Sequence, residues 1–261
     1  MSDKSYEYYG MMAKLWDFLR GDTSRWADRF LFLELVKEIG EPVLDVGCGT
    51  GRILVDFLQQ GIDIDGVDNS PEMLAIAHEK AAALGLHATL YEQRMEVLDL
   101  PRRYRTILVP SSSFQLLTDP ATARTALTRF VEHLLPGGAL VMPFMHFWHE
   151  GDALDSGWEL AGERVREEDG VTLRRWSRST YDPARQWEHS EDRYEVIADG
   201  QVVESEEHAW SPATRWYAQA EARALYAEAG LERIHMLREF TRAPAAAEDT
   251  LFTVIGFKPA D

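Results

Sequence analysis

The chain has 261 residues, of which 45% are apolar, so its length fits one large domain or one domain with a substantial insertion. Its 44 acidic residues outnumber the 27 basic ones and give a formal net charge of −17. This balance argues against a nucleic-acid partner, which needs Lys and Arg along a phosphate track, and against an anionic membrane surface. A small substrate, neutral or cationic, fits better.

The cysteine count and the hydropathy pattern indicate the cellular compartment in which the protein works. Cys48 is the only cysteine, so no intrachain disulfide can form, which favours a reducing cytoplasm. The first residues lack a cationic head followed by an apolar stretch, so no signal peptide is predicted. The most apolar segment, 139–148, is too short to span a bilayer. We therefore expect a cytoplasmic protein with no membrane partner.

The first 145 residues alternate between predicted helices and strands. Apolar residues near helical spacing predict helices within 3–39, and Gly40-Glu41-Pro42 ends them. The predicted strands that follow are 43–46, 62–67, 88–91, 106–109 and 139–144, and the predicted helices are 52–60, 71–84 and 120–135. This alternation indicates an α/β domain with a mostly parallel sheet.

The pattern changes after residue 146. Asp169-Gly170 separates strand-like runs 158–168 and 171–181, and Asp199-Gly200 separates runs 188–198 and 201–210. Asp-Gly is a strong two-residue hairpin signal, because both central positions of such turns need positive φ. We predict a four-stranded antiparallel insertion over 150–211. A helix over 213–229 and strands 231–238 and 250–257 then complete the sheet.

The most informative segment is the glycine-rich turn after the first strand. Val43–Val46 leads directly into Gly47-Cys48-Gly49-Thr50-Gly51, and a helix follows. Glycines let the backbone approach a ligand and adopt positive φ, and free amides at the helix start favour an anionic group. The next strand ends at Asp68, beside the loop, where a carboxylate can accept both hydroxyls of a ribose.

Two ligands fit this arrangement. The dinucleotide fingerprint G-x-G-x-x-G would need a third glycine where this chain has Arg52, whose side chain would obstruct helix–strand packing. Asp45, ahead of the first glycine, suits a cationic amine better than a pyrophosphate. S-adenosylmethionine (SAM), an amino acid joined to a nucleoside, carries such an amine. A dinucleotide-binding oxidoreductase of the NAD type is the alternative.

Three motifs in order resemble the class I SAM-dependent methyltransferases. They are Asp-Val-Gly-Cys-Gly-Thr-Gly-Arg at 45–52, Gly-Val-Asp-Asn-Ser-Pro-Glu-Met-Leu at 66–74, and Leu-Leu-Pro-Gly-Gly-Ala-Leu at 134–140. The resemblance covers about residues 6–145. It implies a Rossmann-like, mostly parallel seven-stranded sheet with helices on both faces, and here the antiparallel β insertion follows the fifth strand.

The resemblance implies a role for each matching residue. Asp45 and the loop from Gly47 to Gly51 would hold the methionine part of SAM, and Asp68 would bind the ribose. Arg94 stands where related sequences often have Asp, which leaves the acceptor for the adenine amine open. The full set of predicted cofactor-binding residues is Tyr8, Trp16, Asp45, Gly47, Cys48, Gly49, Gly51, Asp68, Asn69, Met73, Arg94, Met95 and Ser111.

The segment from Tyr8 to Asp17 resembles the aromatic N-terminal lid of the small-molecule branch, which includes aminosugar N,N-dimethyltransferases. We therefore expect three parts. Residues 1–40 form a helical lid, residues 41–145 and 212–261 form the SAM-binding domain, and residues 146–211 form an insertion that serves as a substrate cap or an oligomer interface, with a homodimer left open.

The expected activity is N- or O-methylation of a small-molecule acceptor. An amine needs mainly positioning, whereas a hydroxyl needs a base, for which His146 and His149 are the candidates after the fifth strand. Ser112, Phe114, Trp148 and Tyr217 are the predicted substrate-binding residues, and no metal is predicted. A SAM-binding protein without catalysis stays open as a further alternative.

Overall fold

A computed structural model of the chain describes residues 6–260. Six α-helices lie in this part of the chain: α1 Gly10–Arg20, α2 Ala27–Ile39, α3 Arg52–Gln59, α4 Pro71–Ala83, α5 Pro120–His133 and α6 Gln219–Glu228. Eleven strands accompany them: β1 Val43–Val46, β2 Ile64–Asp68, β3 Thr89–Glu92, β4 Tyr104–Leu108, β5 Leu134–Met145, β6 Glu159–Val165, β7 Thr172–Asp182, β8 Trp187–Ala198, β9 Gln201–Arg215, β10 Glu232–Arg238 and β11 Leu251–Phe257. None of the helices is long and apolar enough to cross a bilayer.

Seven strands form one sheet, sheet A, in the order β10-β11-β5-β4-β1-β2-β3. Strands β1 to β5 pair in parallel, and β11 pairs antiparallel with both β5 and β10. This confirms the predicted α/β class with a mostly parallel seven-stranded sheet. The strand order reverses at β1, between β2 and β4, and ligands of such sheets bind beyond the carboxyl ends of the strands at that point.

Sheet A is covered on both faces by helices, and its central strand β1 is buried along its whole length. Leu44 and Val46 of β1 pack into one core with Phe130 of α5 and Tyr226 of α6. Val43 faces the other core, which the apolar sides of α2 and α3 complete. Burial on both faces holds β1 rigidly, and so positions the loop that leaves its carboxyl end.

The second sheet, sheet B, has four antiparallel strands in the order β6-β7-β8-β9. The Asp199-Gly200 hairpin is confirmed, since Ala198 pairs with Gln201 and the two turn residues have φ of 50° and 75°. The Asp169-Gly170 prediction was wrong in detail. Strands β6 and β7 end at Val165 and begin at Thr172, and of the two turn residues only Gly170 has positive φ, so the connection is longer than two residues.

Two element boundaries also differ from those predicted. The helix predicted from 213 begins at Gln219, because the chain continues as β9 to Arg215, which pairs with Trp187 of β8. The fifth strand, predicted over 139–144, runs over Leu134–Met145. In both places the pairing partner lies far away in sequence, and that partner sets the boundary.

Helix α1 packs between the two sheets. Met11, Met12 and Leu15 of α1 share a buried cluster with Leu173 of β7 and Tyr194 of β8. On its other side, the Gly10 amide donates to Glu72 of α4 at 2.6 Å. The N-terminal segment therefore contacts both sheet B and the helices that follow the glycine loop.

Candidate active site

The glycine loop is tied to the neighbouring strand. The Gly47 and Cys48 amides both donate to the Val67 carbonyl of β2, at 2.8 and 3.1 Å. Gly47 has φ of 70°, and a Cβ there would lie 2.9 Å from the Ser113 side chain. Gly49 has φ of 53°, and a Cβ there would meet nothing within 4 Å. The loop therefore leaves open space in front of Gly49.

A cavity of about 350 Å³ opens at this edge of sheet A. Small-ligand sites commonly have volumes of about 300–1,000 Å³. Among the residues predicted from sequence, its walls include Tyr8, Trp16, Asp45, Gly47, Cys48, Gly49, Asp68, Asn69, Met73, Arg94, Met95, Ser111 and Ser112. Gly51 is not in the walls; a Cβ there would lie 3.0 Å from Val55 of α3 and 3.2 Å from Ala77 of α4, so the glycine allows these helices to pack closely.

Asp45 contributes a buried carboxylate to the cavity. Its Oδ1 atom has no hydrogen-bond partner among residues 6–260. Burial, with a smaller effect from the nearby Asp68, raises the pKa of Asp45 to about 7, although Arg52 opposes the shift. A buried carboxylate oxygen without a donor is costly, and a ligand ammonium would relieve that cost.

Asp68 holds the loop as well as facing the cavity. Its Oδ2 accepts from the Gly49 amide at 2.8 Å, and its Oδ1 accepts from the Ser70 amide at 2.9 Å. Burial raises the pKa of Asp68, while these amide hydrogen bonds lower it. Each carboxylate oxygen can accept a further hydrogen bond, so the hydroxyls of a ribose fit here.

The thiol of Cys48 is buried in the loop. Burial raises its pKa well above the usual value, and the nearby Asp45 and Asp68 charges act in the same direction. The thiol therefore stays protonated at neutral pH, which suits a small loop residue and not a nucleophile.

Helix α1 forms one wall of the cavity and is fastened to the glycine loop. Asp17 accepts from the Thr50 hydroxyl at 2.7 Å and from the Lys80 ammonium at 3.0 Å. The rings of Tyr8 and Trp16 meet edge to face with centroids 4.8 Å apart. Burial raises the pKa of Tyr8 to about 12, so its phenol stays protonated.

Several wall residues were not predicted from the sequence. The most relevant are Glu7, which precedes α1, Arg20 at its end, Arg52 at the start of α3, and Arg175 on β7. Arg52 was noted only as a missing glycine, and nothing in the local sequence around Arg175 marks it. The Asn69 side chain donates to Glu7 at 3.2 Å, which links the N-terminal segment to the end of β2.

The histidines lie outside the cavity walls. The Nδ1 atoms of His146 and His149 are 3.2 Å apart, and the His146 ring meets Trp216 edge to face with centroids 5.6 Å apart. Burial and the neighbouring His149 lower the pKa of His146, which therefore is neutral near pH 7. Their predicted role as a base stays a prediction.

Three of the predicted substrate residues also lie outside the cavity walls. Phe114 and Tyr217 are each 1% exposed and pack in the core with Phe144. The Trp148 indole donates to the Asp152 carbonyl at 3.2 Å in the turn after β5. Of the predicted set, Ser112 alone lines the cavity. Among residues 6–260 no cluster of His, Cys, Asp and Glu could hold a metal ion.

Comparison with known proteins gives consistent results. The family model described as "Methyltransferase domain" matches residues 43–138. The chain is 32% identical over 52% of its length to the dTDP-3-amino-3,4,6-trideoxy-alpha-D-glucopyranose N,N-dimethyltransferase of Streptomyces venezuelae, covering 54% of that protein. It is 28% identical over 67% of its length to the dTDP-3-amino-3,6-dideoxy-alpha-D-glucopyranose N,N-dimethyltransferase of Streptomyces fradiae, covering 67% of that protein. The matches thus span about half to two thirds of these relatives.

Solved structures resemble the chain over nearly its whole length. The crystal structure of Streptomyces venezuelae DesVI superposes with a TM-score of 0.73 at 26% identity, over 97% of this chain and 100% of that one. A SAM-dependent methyltransferase from Clostridium acetobutylicum superposes with a TM-score of 0.75 at 18% identity, over 95% and 97% of the two chains, and shows the shared fold. Residues 43–138 thus match a methyltransferase domain, and the chain shares its fold with SAM-dependent methyltransferases.

Proposed function

We propose that this protein transfers a methyl group from SAM to an amine of a small-molecule acceptor. The observation that carries the proposal is the Asp45 carboxylate oxygen, buried in the cavity wall without a partner. Such an oxygen fits the ammonium of an amino acid, and Asp68, one strand away, fits the hydroxyls of a ribose. A ligand that carries both groups, as SAM does, fits both carboxylates.

SAM supplies a methyl group on a positively charged sulfur, so the protein needs little covalent chemistry of its own. Asp45 and the loop from Gly47 to Gly51 would hold the methionine part. Asn69 and Met73 would contact the adenosine, and Arg94 and Met95 would lie near the adenine. The wall formed by α1 would exclude water and hold the acceptor in line.

An amine acceptor fits the groups that line the cavity. No histidine is among the wall residues, and the Tyr8 phenol, with its pKa raised to about 12, is a poor base at neutral pH. An amine with a free lone pair needs orientation and no base. The Streptomyces relatives are both named as N,N-dimethyltransferases. O-methylation with His146 or His149 as base is the alternative.

The three parts of the chain would divide this work. The predicted lid is residues 1–40, of which 1–5 lie outside the described residues; residues 6–40 would close over the donor. Residues 41–145 and 212–260 would bind the donor, and residues 146–211 would cap the acceptor or form an oligomer interface. Leu160 and Val165 lie on one edge strand of sheet B and Val202 and Val203 on the other, all more than half exposed, and a homodimer through an edge of this sheet is part of the proposal. We further propose that the enzyme works in the cytoplasm and binds no nucleic acid.

A panel of small amines and matched alcohols, each incubated with SAM, tests the proposed activity. Mass spectrometry should detect methylated amine, with one molecule of S-adenosylhomocysteine (SAH) formed for each methyl group transferred. Methylated alcohols, with a rate that His146→Ala and His149→Ala abolish, would contradict amine methylation. Tight binding of SAH without any product across the panel would instead favour a SAM-binding protein without catalysis.

A further inference from the structure

Four arginines line the cavity, and one of them differs from the others in its partners. Three are paired with carboxylates: Arg52 with Asp28, Arg94 with Glu96, and Arg175 with Asp192. Arg20 has no ion pair or hydrogen bond of its guanidinium among residues 6–260. It lies over the Trp16 ring instead, 4.1 Å from the centroid.

The positive charge around Arg20 is only partly neutralised. Burial lowers the pKa of Arg20, and the nearby charges of Arg52 and Arg175 act in the same direction, whereas Tyr8 and Asp17 oppose the shift. A guanidinium has five N–H donors, and leaving them unused in a partly buried place costs free energy. Cation–π contact with Trp16 offsets part of this cost but accepts no hydrogen bond.

Arg20 and Arg175 lie in the two parts of the chain outside sheet A and its helices, namely the N-terminal lid and the insertion. Arg20 is the last residue of α1, and Arg175 is on β7 of sheet B. Asp45, Asp68 and the glycine loop lie at the carboxyl ends of β1 and β2. The two arginines therefore belong to the lid and insertion walls, whereas the residues suited to the donor belong to the edge of sheet A.

We propose that Arg20 and Arg175 form a subsite for an anionic group, a carboxylate or a phosphate, on the methyl acceptor. The proposal rests on the proposed function and narrows it, since the acceptor then carries both an amine and an acid. Planar guanidinium groups match the geometry of carboxylate and phosphate oxygens. By drawing α1 and β7 to one anion, this acceptor would also favour closure of the lid.

An anionic ligand at this subsite is the opposite of what the net charge of −17 suggests. That charge favours a neutral or cationic substrate, but salt screens charges that lie farther apart than about 8–10 Å. Groups in contact inside a cavity are screened much less. Local arginines therefore decide which ligand charge is accepted at this place.

The anionic group that binds these arginines could instead be the carboxylate of the donor, and the experiment distinguishes the donor carboxylate from an acceptor anion. Titration calorimetry measures binding of SAH and of 5′-methylthioadenosine, which lacks the amino-acid part. Acetate and inorganic phosphate are then titrated into the SAH-loaded enzyme. The variants are Arg20→Met and Arg20→Lys, with Arg174→Met as control, because Arg174 is adjacent to Arg175 on β7 but pairs with Glu163.

The proposal predicts saturable binding of acetate or phosphate to the SAH-loaded wild-type enzyme. Arg20→Met should weaken that binding at least tenfold, Arg20→Lys should restore part of it, and Arg174→Met should leave it unchanged. SAH affinity should change less than threefold in all variants.

Two results would overturn the subsite. One is a tenfold loss of SAH affinity in Arg20→Met with unchanged affinity for 5′-methylthioadenosine, which would assign the arginine to the donor carboxylate. The other is absence of anion binding to the SAH-loaded wild-type enzyme. Failure of wild type to bind SAH at all would instead contradict the proposed function, so the two failures are distinguishable.

Discussion

Asp45 couples donor binding to pH at the scale of a single residue. Its pKa in the folded protein is raised to about 7, mainly by burial, whereas an unfolded chain has a value of about 4. The carboxylate must be ionised to hold an ammonium. We therefore expect SAH affinity to fall as the pH drops below about 7, and Asp45→Asn to bind SAH weakly with little pH dependence. Calorimetry between pH 5.5 and 8.5 checks both.

The same shift predicts the opposite effect on stability. A raised carboxyl pKa means that the ligand-free protein loses stability as pH rises from about 4 to about 7, and the loss is complete above that range. Three pKa units correspond to at most about 4 kcal/mol, so Asp45→Asn should raise the Tm of ligand-free protein at pH 8 by several degrees. The difference should shrink towards pH 5. A lower Tm for the variant at pH 8 would contradict a costly buried charge.

We expect Asp68 to affect both the affinity for the donor and the conformation of the glycine loop. Asp68→Ala removes two charge-assisted hydrogen bonds to the ribose and should cost about 2–3 kcal/mol, roughly thirty- to a hundredfold in SAH affinity. The Gly49 and Ser70 amides would also lose their acceptor. Asp68→Asn keeps one oxygen and should bind with intermediate affinity. Wild-type affinity in Asp68→Ala would refute the ribose assignment.

At the scale of elements, helix α1 should behave as a lid fastened by Asp17. Asp17→Ala removes the hydrogen bonds to Thr50 and Lys80. We expect faster amide hydrogen exchange over residues 10–20 and a donor dissociation constant raised about three- to tenfold, a loss of roughly 1 kcal/mol. Asp22→Ala is the control, because the Asp22 side chain accepts from the Ser24 amide within the loop after α1. Equal exchange in both variants would show that Asp17 does not hold the lid.

Deletion of residues 1–20 is a harsher test of the same element. It should abolish turnover, but it also uncovers Leu173 and Tyr194, which α1 buries. The loss of apolar contact would lower stability together with activity. Asp17→Ala leaves that cluster intact, so it distinguishes an effect on lid closure from a loss of stability.

The elements also show what the sequence could predict. Strand β1, the glycine loop and Asp68 were predicted because contiguous residues build them, with spacing set by one strand–turn–helix unit. The start of α4 at residue 71 was predicted for the same reason, and the Ser70 hydroxyl caps it by accepting from the Met73 amide at 3.1 Å. Arg20 and Arg175 were missed, because their shared cavity exists only after α1 packs against sheet B.

Tertiary packing likewise explains the predictions that do not fit the cavity. Tyr217 and Phe114 carry apolar rings suited to either a pocket or a core, and their exposure is set by Phe144 of β5. His146 follows β5 as predicted, yet it contacts Trp216 and not the cavity. A residue that follows a strand can be predicted to lie at the edge of the sheet, but the direction of its side chain depends on neighbours that are distant in sequence.

At the scale of the whole molecule, the donor should stabilise the entire fold, because its proposed site joins sheet A to the lid. SAH at about 100 times its dissociation constant should add about 2.7 kcal/mol to the free energy of unfolding. For a chain of this size that corresponds to about 5–10 °C in Tm. NAD should give no shift, since Arg52 stands where a dinucleotide site needs glycine and is held there by both oxygens of Asp28. Differential scanning fluorimetry with each ligand measures this, with Asp68→Ala as the control in which the SAH shift shrinks. A shift of similar size with NAD would restore the dinucleotide alternative.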